Sequence, residues 1–258
     1  MIMLAAIVSA VVCADGTGVQ KRRGPRRHKI GTPSGGIIEK AYSGKVFRIL
    51  NFQKDYPRDG LAALTKEIRY STLLPVECAE SGDLAGKNPY AMADELVADG
   101  KVGAGALVIS DPAMPIEVLS PDRRWGILNI APLKADSPSP EKFKQRFMKV
   151  YWGIIARTLG AGNSSFPGCV LVPFTSMAEL DGINATRPCP EPFNKMLDTG
   201  KAYGIGTITI TTYRRACEEG WAPAPTNDVQ RAIWEQVKAD KERGPTNPIK
   251  IEPPGKKK

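Results

Sequence analysis

Few residue types in this chain can do chemistry. There are five cysteines, Cys13, Cys78, Cys169, Cys189 and Cys217, and one histidine, His28. His28 lies among Lys21, Arg22, Arg23, Arg26, Arg27 and Lys29, where a solvated side chain is expected. A Ser-His-Asp or Cys-His nucleophile needs a histidine on the folded domain. A His-rich zinc site needs several. Both are excluded. Glu117, Asp122 and Asp181 are carboxylates in candidate loops. No pair spacing marks them for acid–base work, and each reads as a surface or turn residue. Arg157 closes a long amphipathic stretch. In a cleft its cation could bind a carboxylate or phosphate; on a solvated or salt-bridged helix face it would bind nothing.

The ends of the chain narrow the function classes. The six basic residues of positions 21–29 and Lys256, Lys257 and Lys258 together equal the net charge of +9. The region between them is close to neutral, whereas a specific nucleic-acid binder carries its charge on the folded surface. The basic tails are expected to make at most weak contact with an anionic polymer. Ile2–Val12 is apolar but too short to span a bilayer. Val12-Cys13-Ala14 resembles a small-residue cleavage site, so residues 1–14 read as a signal peptide. The protein is then secreted or periplasmic, and no later run is long enough for a membrane span. After cleavage Cys78, Cys169, Cys189 and Cys217 remain, an even set with three pairings open to it.

The intervening sequence alternates strand and helix signals. Residues 15–44 read as a basic disordered linker. Val46–Phe52, Leu74–Cys78, Ala106–Ser110 and Trp125–Ile130 read as strands, and Asp59–Tyr70 and Pro89–Ala98 as helices. This order predicts an α/β layer arrangement. Gly100, Gly103 and Gly105 precede a strand rather than follow one, so they do not form a phosphate-cradling loop. Pro140–Leu159 is the strongest helix signal. Phe143, Phe147, Val150, Tyr151, Ile154 and Thr158 form its apolar stripe, and Arg146, Lys149, Gly153 and Arg157 its other face. Gly160 fits a C-terminal cap. Ser176 and Glu179 have capping-box spacing. Thr207–Tyr213 alternates like a late strand, and Asp228–Lys241 reads as a terminal helix with Ala232, Ile233 and Val237 on one side.

Residues 153–192 fit the spacing H-E-x-x-H-x-x-G-x-x-H-C-x4-C-x-M-x17-C-x-x-C without a gap. Gly160, Cys169 and Cys189 fall on motif residues. The chain thereby resembles the archaemetzincins, zinc metallopeptidases of the metzincin group, over about residues 45–195. The resemblance implies a zincin-like mixed sheet with an active-site-type helix, in a domain of residues 45–220. A C-terminal helix and basic tail over 221–258 extend beyond it.

The resemblance also implies a lost activity. The zinc-ligand histidines fall on Gly153, Arg157 and Asn163, and the catalytic glutamate on Ile154. Glycine has no donor atom, arginine is a permanent cation and cannot ligate zinc, and isoleucine cannot take a proton. The family's four-cysteine site keeps only Cys169 and Cys189, with Ser164 and Pro192 in the other places. The implied protein has no metal and no cofactor, and binds a peptide or protein in the former substrate cleft. Arg157 is its candidate anion-binding residue. A Cys169–Cys189 disulfide is expected by the same resemblance, with Cys78 and Cys217 paired or free. The alternatives are a hydrolase of non-zinc mechanism on the same fold and an envelope-associated structural protein. Asn163 and Asn184 begin N-x-S/T sequons.

Overall fold

The computed structural model describes residues 35–53, 58–82 and 84–243. The expected signal peptide, the basic arm with His28, and Lys256–Lys258 lie outside the described residues. In chain order the elements are β1 (Ile37–Glu39), β2 (Val46–Asn51), α1 (Arg58–Thr72), β3 (Val76–Glu80), α2 (Pro89–Ala98) and β4 (Val102–Ile109). There follow β5 (Glu117–Leu119), β6 (Trp125–Asn129), α3 (Pro140–Thr158), α4 (Met177–Gly182), α5 (Pro190–Ala202), β7 (Ile210–Thr212), α6 (Tyr213–Glu219) and α7 (Asp228–Glu242).

Five strands make one mixed sheet in the order β3-β2-β4-β6-β5. β2, β3, β4 and β6 run parallel, and β5 pairs antiparallel with β6 at the edge. The central strand β4, VGAGALVI, is buried along its whole length. A continuous apolar run is what a parallel strand covered on both faces requires. Its side chains alternate between two cores. Ala104, Ala106 and Val108 face a core shared with Phe47, Ile68 and Ile154. Leu107 and Ile109 face a second core with Leu96 and Trp125. The molecule is therefore layered, with α2 on one face of the sheet and α1 and α3 on the other. Close approach sets two glycines. A Cβ at Gly105 would lie 2.6 Å from Leu96 Cδ2, and one at Gly126 would lie 2.6 Å from Ile154 Cδ1.

Local chemistry explains the helix starts. Asn88 caps α2, Ser139 caps α3 and Asn227 caps α7, each accepting a backbone N–H through its side chain. Ser176 accepts the Glu179 N–H at 3.2 Å, and Glu179 returns an acceptor to Thr175 N–H at 2.6 Å. The first half is the predicted capping box; the return bond falls one residue earlier than the motif places it.

The structure departs from the sequence reading in four places. Ile37–Glu39, inside the expected linker, is a strand paired with β7, and Glu39 holds Arg69. The alternation of 207–213 yields strand only at Ile210–Thr212. The Thr212 hydroxyl then caps α6 at Arg215 N–H, because threonine offers the backbone a cap as readily as a ladder position. On α7, Ile233 and Val237 are buried with Gln230, whereas Ala232 is exposed.

The fourth departure concerns α3. Arg146 and Lys149, placed on its outer face by their charge, are buried. Arg146 donates all five guanidinium N–H groups: to Asp181 at 2.7 and 2.8 Å, to Asp136 at 2.6 and 2.8 Å, and to Leu133 O at 3.0 Å. Lys149 Nζ donates to Leu180 O at 2.8 Å and Asp181 O at 3.3 Å, at the end of α4. These cations are buried because every donor of the guanidinium finds an acceptor. The fork clamps α3 to α4 and to the turn at Ala131–Lys134. It holds the Asp181 carboxyl well below the usual carboxylate range. Asp181 is thus part of this clamp, not a free loop carboxylate.

Candidate functional site

The end of α3 sets the geometry of the site. Gly160 has φ +80°, a left-handed conformation that glycine adopts without a Cβ penalty. Its N–H bonds Arg157 O at 3.0 Å, and the Ala161 N–H reaches back to Ala156 O at 2.9 Å. This pair of bonds is the Schellman closure. It turns the chain so that Asn163 comes back beside Arg157.

Arg157 and Asn163 line one cavity of about 440 Å³, with Pro115, Ile116, Glu117, Leu119, Pro173 and Phe174. Gly153 lies one turn before Arg157, and long helical side chains lean toward the N-terminus. The Arg157 guanidinium accordingly lies over Gly153: a Cβ there would be 3.1 Å from Nη1 and 3.8 Å from Cζ. Nη1 also donates to Glu117 Oε2 at 2.5 Å. The Arg157 and Glu117 side chains are only 14 % and 20 % exposed, so the pair is shielded from water and salt more than a surface ion pair would be. Arg123, at the far end of the same strand pair, places Nη1 3.5 Å from Arg157 O.

Two of the four residues picked from the sequence share one cavity. Arg157 and Asn163 line it, and Gly153 lies beneath the Arg157 guanidinium without lining it. Ile154 is fully buried in the core against Gly126. Glu117 was read as a surface or turn residue and is instead the partner of Arg157. The apolar wall joins Ile116 and Leu119 to Pro173 and Phe174 of the short apolar run 168–174, a pairing that no local sequence pattern marks.

The chain is similar to archaemetzincins of known structure. It is 17% identical to archaemetzincin of Methanopyrus kandleri, covering 61% of this chain and 96% of that one, with a TM-score of 0.49. It is 15% identical to a zinc-dependent peptidase of Methanocorpusculum labreanum, covering 58% and 99%, with a TM-score of 0.45. It is 16% identical to the Archaeoglobus fulgidus archaemetzincin complexed with malonate, covering 58% and 98%, with a TM-score of 0.43. No family model and no curated protein matches the chain.

A zinc ion does not fit the residues of this cavity. Gly153 offers no donor atom, and the volume over it holds a permanent cation that would repel a metal. No group of three or more His, Cys, Asp or Glu side chains placed to hold a metal occurs among the described residues.

The cysteine pair lies at a second locus. Cys169 is buried and Cys189 half-buried at the start of α5. Ser164 Oγ is 3.4 Å from Cys189 Sγ. No bond joins the two sulfurs, and Cys78, Cys169, Cys189 and Cys217 are all free thiols here, so the expected Cys169–Cys189 disulfide is not present. Burial would raise the Cys169 thiol, but the N–H groups of Cys189 and Leu171 and the neighbouring side chains outweigh it and draw it below its ordinary value. Burial and the adjacent Cys169 raise Cys189. Cys78 and Cys217 are separate from this pair: Cys78 packs near Thr65 and Tyr151, where burial pushes it up to about 11, and Cys217 lies on α6.

Proposed function

We propose that this protein is an archaemetzincin-like binding module without peptidase activity, and that it takes a peptide or protein segment in the cavity between β5 and the end of α3. The observation that carries this reading is the Arg157 guanidinium lying over Gly153 and paired with Glu117, at the two helix positions where the family pattern has zinc ligands. An ion pair in that place supplies neither an open metal position nor a base for water. Glu117 is the only carboxylate among the described residues lining the cavity. Its engagement with Arg157 also tells against a non-zinc hydrolase.

The edge strand supports a peptide ligand. β5 is the last strand of its sheet. Ile116 O and Ser120 N–H are spent on β6, at 2.7 Å to Asn129 N–H and 3.0 Å to Trp125 O. By antiparallel alternation the backbone groups of Glu117 and Leu119 point away from β6, toward the open edge. A peptide could pair there while its side chains meet the apolar wall. The N-terminal sequence makes an exported protein the setting for this function.

Two measurements test the reading. Metal analysis of purified protein should give far less than one zinc per chain. A peptide library screened by fluorescence anisotropy should yield ligands whose binding is lost in Leu119→Arg. Stoichiometric zinc with hydrolysis that a chelator removes would overturn the proposal.

A further inference from the structure

Two arginines on α3 are satisfied to very different degrees. Arg146 has an acceptor for each of its five N–H groups. Arg157, eleven residues later, gives a single hydrogen bond, from Nη1 to one oxygen of Glu117. Its remaining donors have no protein acceptor among the described residues, although the side chain is only 14 % exposed. These donors open to the cavity, where a ligand can supply acceptors in place of solvent. The Asn163 side-chain amide lines the same cavity and also has no partner among the described residues. Among the lining residues the charged groups are Arg157 and Glu117, which balance, so an incoming anion is met by open donors and not by excess charge.

We infer that the cavity captures the free α-carboxylate at the C-terminus of a peptide whose last side chain is apolar. The inference rests on the reading of the cavity as a peptide site and adds which end of the peptide enters. The open guanidinium donors take the carboxylate oxygens, a charge-assisted contact stronger than a neutral one. The Asn163 amide can give a further donor to the carboxylate and accept a backbone N–H. Ile116, Leu119, Pro173 and Phe174 surround the terminal side chain. Glu117 fixes the guanidinium but also competes with the incoming anion, so its charge sets the affinity.

The test uses one fluorescent peptide ending in Leu-Phe, made with a free carboxylate and with a C-terminal amide, titrated against the full chain. The free acid should bind about tenfold tighter or more than the amide, as expected for hydrogen bonds to a charged group. Arg157→Gln should remove that difference. Glu117→Gln should tighten the acid and leave the amide unchanged. Asn163 is exposed, so Asn163→Ala should fold normally and narrow the difference; thermal melts confirm folding for each variant. Equal binding of acid and amide to the unaltered protein, lost in Leu119→Arg, would overturn the carboxylate inference while leaving the peptide site standing. A preference for the acid that persists in both Arg157→Gln and Asn163→Ala would also overturn it. Binding of neither peptide would overturn the inference together with the proposed function.

Discussion

Cys189 donates its backbone N–H to the Sγ of Cys169 at 3.1 Å, across a loop closed by twenty residues of chain. That contact holds the two thiols side by side without a bond between them. Air oxidation tests whether the backbone lets the sulfurs close to bonding distance. The chain-entropy model gives a loop of this size roughly 3 kcal/mol of stabilisation. Non-reduced peptide mapping after air oxidation, with a urea melt before and after, checks both points. Cys169 that remains free under those conditions would rule the pairing out.

Arg146 is the strongest fixed point of the helix that carries the site. Arg146→Met removes the cation shared by Asp136 and Asp181, leaving Asp181 to Lys142 at 2.9 Å, and loses hydrogen bonds to charged groups worth about 1.5–3 kcal/mol. Urea unfolding should show this as a lower midpoint. A change under 1 kcal/mol would mean that the carboxylates find water at little cost.

The same fork fixes an acid limit. Hydrogen bonds from Arg146 lower the Asp181 carboxyl in the folded state. Its stabilising contribution is therefore complete above the unfolded carboxylate pKa, near about 4. It fades as the pH falls from there through the lower folded value. Stability measured between pH 2 and 7 should drop at the acid end in the unaltered protein. The drop should be shallower in Asp181→Asn, which has no carboxylate there to protonate.

Gly160→Ala probes the turn that brings Asn163 back to Arg157. The backbone sits at φ +80°, and an added Cβ would lie 2.7 Å from Thr199 Oγ1 on α5. The conformational cost alone is about 1–2 kcal/mol, and the contact with α5 adds to it. A variant as stable as the parent, with unchanged peptide binding, would show that the turn is not needed in this form.

Placing histidine at 153, 157 and 163 together asks whether the frame is still that of a metal site. Positions 153 and 157 share a helix face, and 163 meets 157 at the cavity. Gly153→His, Arg157→His and Asn163→His combined should bind about one zinc per chain, three imidazoles being enough for a zinc site. Equilibrium dialysis against zinc reads this without any assay of hydrolysis. A triple variant that binds no more zinc than its parent would show that the three positions do not converge closely enough.

Helix periodicity and caps made α2, α3 and α7 legible in the sequence almost to the residue, because their signals are local. The glycine stop at 160 was legible for the same reason. β5 was not: three residues between prolines carry no alternation, and the strand exists only because β6 offers it an edge. Helix α5 is absent from the sequence reading although Pro192, Met196 and Gly200 recur at helical spacing on its buried side. Charge misled at Arg146 and Lys149, whose acceptors come from segments distant in sequence. At the site, Gly153, Arg157 and Asn163 could be picked by spacing. Glu117 could not be paired with Arg157, because forty residues and the sheet crossover separate them.

The guanidinium over Gly153 ties distant positions of the sequence together. A side chain introduced at 153 alone would press on Arg157 Nη1, its Cβ 3.1 Å away, and shift the guanidinium. Histidine introduced at 157 alone would strand the shielded carboxylate of Glu117. Each of these two single changes disturbs the Arg157–Glu117 pair before any metal site exists. The ion pair thus couples positions 117, 153 and 157, so substitutions there should be non-additive.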